Sequence, residues 1–143
     1  MRIGFTGTKI GMTPEQKQVL KRVFYAAAQQ HSELELHHGD CVGADSEAHD
    51  IYQKQANENI VIHPPLDDKA RAWCLTSLEN LRLPKPYLAR NHDIVDETEI
   101  LIATPKEDLM ILRSGTWATV RYARKAGKRI IIIFPNGNSI DDK

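Results

Sequence analysis

The sequence predicts an α/β fold of the Rossmann type, three layers deep, with a mainly parallel sheet of about five strands between its helices. Three observations carry this. Short β-type runs alternate with helically periodic segments along the whole chain, the pattern of right-handed βαβ crossovers. Ile130-Ile131-Ile132-Ile133 is an unbroken apolar run, as expected of a strand covered on both faces. Glycines also follow the first two strand candidates, at Gly7 and at Gly39 and Gly43.

Ile3 to Thr6 reads as a short buried strand, ended by Gly7. Thr13 then offers an N-cap, and Pro14 fits a first turn where its missing N–H costs nothing. Leu20, Val23, Phe24 and Ala27 recur on one helical face, which should end near Gln30 or His31. Leu34 to His37 is the second strand, and Gly39 and Gly43 break the chain after it. A second helix runs from about Ala44, with Ala48, Ile51 and Tyr52 on one face. Ile60 to His63 is a third strand, stopped by Pro64-Pro65. Residues 66–86 are the least periodic, and Trp73, Leu75 and Leu78 suggest a short helix there. Tyr87 to about Glu97 reads as another helix, with Ile94 and Val95 inward. Ile100 to Ala103 is the fourth strand, Pro105 ends it, and 106–113 is a loop. Gly115 to Gly127 is the last helix, with Gly127 as its stop. Arg129 to Phe134 is the fifth strand. Residues 1–135 are thus expected to form one domain, followed by a loose polar tail, 136–143.

The 143 residues suit one domain and suffice for a core without disulfides or metal staples. Lys+Arg and Asp+Glu both number 19, so the formal net charge is zero. Duplex-binding proteins are usually basic, because phosphate neutralisation supplies most of their affinity. Nucleic acid is therefore not the expected main partner. No stretch approaches the roughly 20 apolar residues that span a bilayer. The start, Met1 to Phe5, is too soon interrupted for a signal peptide. Cys41 and Cys74 make no disulfide framework, so a reduced, cytoplasmic protein without membrane partners is expected.

In parallel sheets, ligands sit outside the carboxyl ends of the strands. That rule selects the loops to inspect. After the first strand, Gly7 allows close approach of a ligand, and Thr6, Thr8 and Lys9 can donate to a phosphate. The spacing is neither G-x-G-x-x-G nor a P-loop. After the second strand, Gly39 and Gly43 precede a helix whose free N–H groups form a positive end. Asp45 suits that end as a cap, and Asp40 could accept from ribose hydroxyls. His37, His38, Asp40 and Cys41 are metal-ligand types, but their spacing matches no zinc pattern and successive strand residues face opposite ways. No metal and no cofactor are expected. Arg90 and Asn91, on one helical turn, could reach an anion and a sugar or base. Arg113 offers a fork for phosphate, Ser114 and Thr116 can cap the last helix, and Gly115 removes side-chain bulk there. Trp117 is read as core packing rather than a stacking platform for a base.

Gly4-Phe5-Thr6-Gly7-Thr8, His38-Gly39-Asp40-Cys41-Val42-Gly43-Ala44-Asp45, Arg90-Asn91 and Ser114-Gly115-Thr116 together resemble the SLOG superfamily. That Rossmann-like group includes the YspA-like proteins, the DprA core and the LOG phosphoribohydrolases. The resemblance covers nearly the whole chain. It implies a pocket for nucleotides or nucleotide-derived ligands, and a homodimer or larger assembly. In the LOG enzymes the last helix opens with P-G-G-x-G-T-x-x-E. Gly115-Thr116 matches the G-T, but Thr119 stands at the Glu position and Leu112-Arg113 near the double glycine. That departure argues against phosphoribohydrolase chemistry.

The leading expectation is a binding protein that senses or sequesters a nucleotide-type ligand. A nucleotide N-glycosidase or related hydrolase stays open as the alternative, with Asp40 and Asp45, and also Asp93, as candidates for a general acid or an electrostatic stabiliser. DprA-like binding of single-stranded nucleic acid is a further one, opposed by zero net charge and few aromatics.

Overall fold

The computed structural model describes residues 1–55 and 58–142. In chain order its elements are β1 (Arg2–Gly7), α1 (Pro14–Gln30), β2 (Glu35–His38), α2 (Ala44–Lys54), β3 (Ile60–Ile62), α3 (Tyr87–Asp96), β4 (Ile100–Thr104), α4 (Gly115–Lys125), β5 (Arg129–Ile133) and β6 (Ser139–Asp142). A single 3-10 turn, Leu78–Asn80, lies between β3 and α3. The sheet order among the described residues is β3-β2-β1-β4-β5-β6. The first five strands are parallel, and β6 is antiparallel to β5. The three-layer α/β reading is therefore correct.

Alternation along the strands builds a core on each face. Ile3 and Phe5 of β1, with Ile100 and Ile102 of β4, face Leu20 and Phe24 of α1 and Ala44, Ala48 and Tyr52 of α2. Leu101 and Ala103, with Ile130 and Ile132, face Val95 of α3 and Trp117, Val120 and Ala123 of α4. Helix α1 starts where the sequence indicates, in a full capping box. Thr13 Oγ1 accepts from the Gln16 N–H, and the Gln16 side chain accepts from the Thr13 N–H. Gln16 Nε2 also donates to the Pro105 and Ile133 carbonyls, tying α1 to the ends of β4 and β5.

Two local expectations need correction. The tail is not loose: Ser139–Asp142 pairs with β5 as a sixth strand. Asn136-Gly137 supplies the turn, with Gly137 at φ +88°, and Arg129 grips Asp141 across the strands at 2.6 Å. This pairing satisfies backbone groups that β5 would otherwise leave at the sheet edge. The short helix expected around Trp73 is also absent. Trp73 sits at φ +60° and is 58% exposed, with the Arg71 guanidinium stacked 3.8 Å from its ring centroid. Its segment passes the carboxyl end of β2 as an irregular strap, where Arg71 bridges Cys41 and the Ala72 N–H donates to the Asp40 carbonyl.

Among the described residues, no helix is long and apolar enough to cross a membrane. The strand order reverses between β1 and β4. The chain leaves these neighbours toward opposite faces, which opens a crevice at their carboxyl ends.

Candidate functional site

A cavity of about 600 Å³ occupies that crevice. Four separate segments line it. Thr6, Gly7, Thr8 and Lys9 come from the end of β1 and the loop after it, and Gly39 and Asp45 come from the loop after β2 and the start of α2. Arg90 and Asn91 come from α3, while Arg113, Ser114, Gly115 and Thr116 come from the approach to α4. Eleven of these expected residues thus meet at one cavity: Gly7, Thr8, Lys9, Gly39, Asp45, Arg90, Asn91, Arg113, Ser114, Gly115 and Thr116.

Asp40 and Gly43 do not line the cavity, and their expected roles are corrected. Asp40 is fully buried at φ +57°, which turns its carboxylate toward the strap. There it accepts from Arg71 Nε at 2.8 Å and from the Cys74 N–H at 2.9 Å. It fastens a segment, and its burial leaves neither oxygen accessible to a ribose. Gly43, at φ +89°, lets the backbone of Lys9 pass directly over it. Its glycine serves loop-on-loop packing.

Gly39 and Gly7 also have protein neighbours. A Cβ on Gly39 would strike the Arg90 guanidinium, and one on Gly7 would strike Ala44 and Thr104. Gly115 differs: a Cβ there meets nothing within 4 Å. Its openness belongs to the cavity.

Helix α4 presents its positive end to this space. Ser114 Oγ accepts from the Trp117 N–H at 3.2 Å as N-cap, while Gly115 and Thr116 line the cavity. Lys9, Lys106 and Arg113 surround them, against the carboxylates of Asp45 and Glu107. A neutral chain thus gathers a local positive excess at one helix N-terminus. Trp117 is 3% exposed in the α4 core and donates to Glu107 at 3.1 Å, so packing is its role, as expected.

Arg90 is 5% exposed and mostly occupied by the protein. It donates through Nη1 to the Gly39 and His63 carbonyls, through Nε to Asn91 Oδ1, and through Nη2 to Cys41 Sγ. Of the five N–H donors of a guanidinium, four are engaged. Its main work is to hold the second loop against α3.

Asp45 is 6% exposed and is the deep acidic group of the cavity. It does not cap α2, whose N-cap is Gly43; Oδ2 accepts instead from the preceding Cys41 N–H at 3.2 Å. Oδ1 is buried without a hydrogen-bond partner. Burial raises its pKa from 3.8 to about 6, against the opposing pull of Arg90.

That shift fixes a pH dependence. Below pH about 4 the carboxyl is protonated in the folded and unfolded chain alike. Between pH 4 and about 6 the unfolded chain ionises first, so stability contributed by this group is lost as pH rises, by about 2–3 kcal/mol. Asp45→Asn keeps an acceptor for Cys41 and removes the buried charge. It is expected to raise the melting temperature at pH 7.5 by about 5 °C and to flatten its decline between pH 4 and 6. Thermal melts of both proteins across pH check this.

The sequence marks Tyr87 only as a helix start, yet its ring lines the cavity between two cations. Lys9 Nζ and the Arg90 guanidinium each lie 5.2 Å from its centroid. No local pattern distinguishes such a tyrosine from an ordinary first-turn residue.

Strand order, helices on both faces and a crevice at the reversal define a Rossmann-like α/β fold. Solved structures agree. TM1055, an X-ray structure, superimposes with a TM-score of 0.65 at 11% identity, covering 90% of this chain and 71% of its own. The Moco carrier protein from Chlamydomonas reinhardtii superimposes with a TM-score of 0.60 at 20% identity, covering 92% and 74%. At these identities the likeness shows a shared Rossmann-like fold. No family model matches the chain. No curated protein matches it either.

Proposed function

We propose that this chain is a SLOG-like domain that binds a nucleotide or nucleotide-derived small molecule in the crevice, to sense or sequester it. One observation carries the reading. The open helix end at Gly115-Thr116, three flexible cations and the ring of Tyr87 border a single cavity sized for such a ligand. The helix end and cations suit a phosphate, and Tyr87 offers a face to a base or similar ring. The Moco carrier neighbour, by its name, carries a small molecule, which favours binding over turnover. Self-association, implied by the SLOG resemblance, belongs to the proposal and is checked by sedimentation velocity.

Thermal melts against mononucleotides, dinucleotides and ADP-ribose test the proposal. A true ligand at about 100 times its Kd adds about 2.7 kcal/mol, worth roughly 5–10 °C here. No shift with any compound counts against it. Gly115→Ala separates site from scaffold. The added methyl meets nothing in the protein, so the melting temperature is expected to move by less than about 2 °C. Affinity for the phosphorylated ligand is expected to fall at least about tenfold, or about 1.4 kcal/mol, as the methyl occupies phosphate space.

A hydrolase is the second reading, and Asp45 is the observation favouring it. A carboxyl held near pH 6 in a cleft is suited to donate a proton near neutrality. Against it, Thr119 replaces the family glutamate, and its hydroxyl donates to the Gly115 carbonyl at 2.9 Å. Release of free base from nucleoside monophosphates, lost in Asp45→Asn, would establish hydrolysis. Binding without release leaves the sensor reading.

A further inference from the structure

We propose a second site, a divalent transition-metal site apart from the crevice, formed by His37 Nδ1, His63 Nε2 and the Glu97 carboxylate. The ligands come from three segments: β2, the residue after β3, and the C-terminal cap of α3. His37 Nδ1 lies 2.8 Å from His63 Nε2 and 4.0 Å from Glu97 Oε1, and the three donor atoms are all within 4.8 Å of one another. Bonds of about 2.0–2.2 Å to a shared ion place ligand atoms about 3–3.5 Å apart. The histidine pair has to open by only a few tenths of an ångström, and Glu97 Oε1, with Arg82 attached, has to shift inward from 4.0 Å.

Proton positions select this cluster over its neighbour. His37 Nε2 lies 2.6 Å from Glu35 Oε1. A carboxylate accepts, so Nε2 carries the proton and Nδ1 keeps its lone pair. Glu35 then orients the ring as second-layer carboxylates orient metal-bound histidines. Arg82 donates to Glu97 Oε1 through Nε at 3.1 Å and Nη2 at 2.8 Å, which holds that carboxylate beside the histidine pair. The other convergence, His38, His49 and Cys74, fails this check. There the Asp40 N–H donates to His38 Nδ1, so the proton sits on Nε2, the atom that would have to bind.

Without an ion, His63 Nε2–H donates to His37 Nδ1. With one, His63 carries its proton on Nδ1 and both lone pairs face the metal. Two imidazoles and a carboxylate suit Zn²⁺, Co²⁺, Ni²⁺ or Fe²⁺ rather than Ca²⁺ or Mg²⁺. The local cations do not forbid this: Arg82 is paired with Glu97, and Lys85 with Asp93 at 2.6 Å. The His63 carbonyl holds Arg90 Nη1 at 3.1 Å, so an ion here would brace the residue that shapes the crevice.

The test uses the full chain stripped with chelator, titrated with Co²⁺ by visible absorption and with Zn²⁺ by calorimetry. Saturable binding of one ion is expected. His63→Gln should abolish it, Glu35→Gln should weaken Zn²⁺ binding about 10–100-fold, and Cys74→Ser should leave it unchanged. If His63→Gln does not fold, Glu97→Gln carries the same expectation. Absence of saturable binding overturns the site. So does binding that survives His63→Gln or Glu97→Gln, or that shows a thiolate charge-transfer band lost in Cys74→Ser.

Discussion

Gly43→Ala is expected to destabilise the protein by about 3–5 kcal/mol. Two costs add. Gly43 sits at φ +89° and ψ −127°, outside the regions that residues with a Cβ occupy. The new Cβ would also overlap the Lys9 carbonyl, a backbone atom that cannot swing away. Relief requires lifting the first loop from α2, and the Ala44 N–H would then lose its bond to the Thr8 carbonyl at 3.0 Å. A melting temperature lower by about 10–15 °C, or failure to express in soluble form, is the expected result. A loss under about 1 kcal/mol would show that the two loops do not touch as described.

Arg90→Met is expected to cost about 3–5 kcal/mol through a different mechanism. Methionine fills the volume but donates nothing. The Gly39 and His63 carbonyls then stay buried without their donor, at about 1–3 kcal/mol each. Arg90→Lys should recover less than half, because one ammonium cannot span the carbonyls and Asn91 as a planar fork does. Urea unfolding of the three proteins measures this. Near-complete rescue by lysine would mean that charge, rather than the fork, matters. The same substitution should loosen the second loop and weaken any ligand in the crevice.

These two residues also show where sequence reading stopped. Thr13-Pro14, the isoleucine run and the glycines after the first two strands were legible because their signals are local: a cap, an apolar run, a turn. The convergence of the loops after β1, β2 and β4 followed from the parallel-sheet rule, while Arg90 and Asn91 join them from α3. A missing side chain, however, does not say what approaches it. Gly43 accommodates Lys9, Gly39 accommodates Arg90, and Gly115 alone is open to the cavity. Asp40 and Asp45 are likewise similar in sequence, and a φ of +57° at Asp40 turns it to the strap while Asp45 faces the crevice. Strand β6 was missed because Ser139–Asp142 lacks apolar alternation; it pairs through backbone bonds and the Arg129–Asp141 contact at the sheet edge. His37 and His63 are 26 residues apart, so no spacing motif joins them.

The most direct measurement is a backbone-amide NMR titration of labelled protein with the nucleotide that gives the largest thermal shift. Saturable movement of the Thr8, Lys9, Gly115 and Thr116 amides, with the Asn136–Asn138 turn unmoved, is the expected result. Movement confined to other surfaces, or none at any nucleotide concentration up to several millimolar, would contradict a nucleotide site between the first loop and the start of α4.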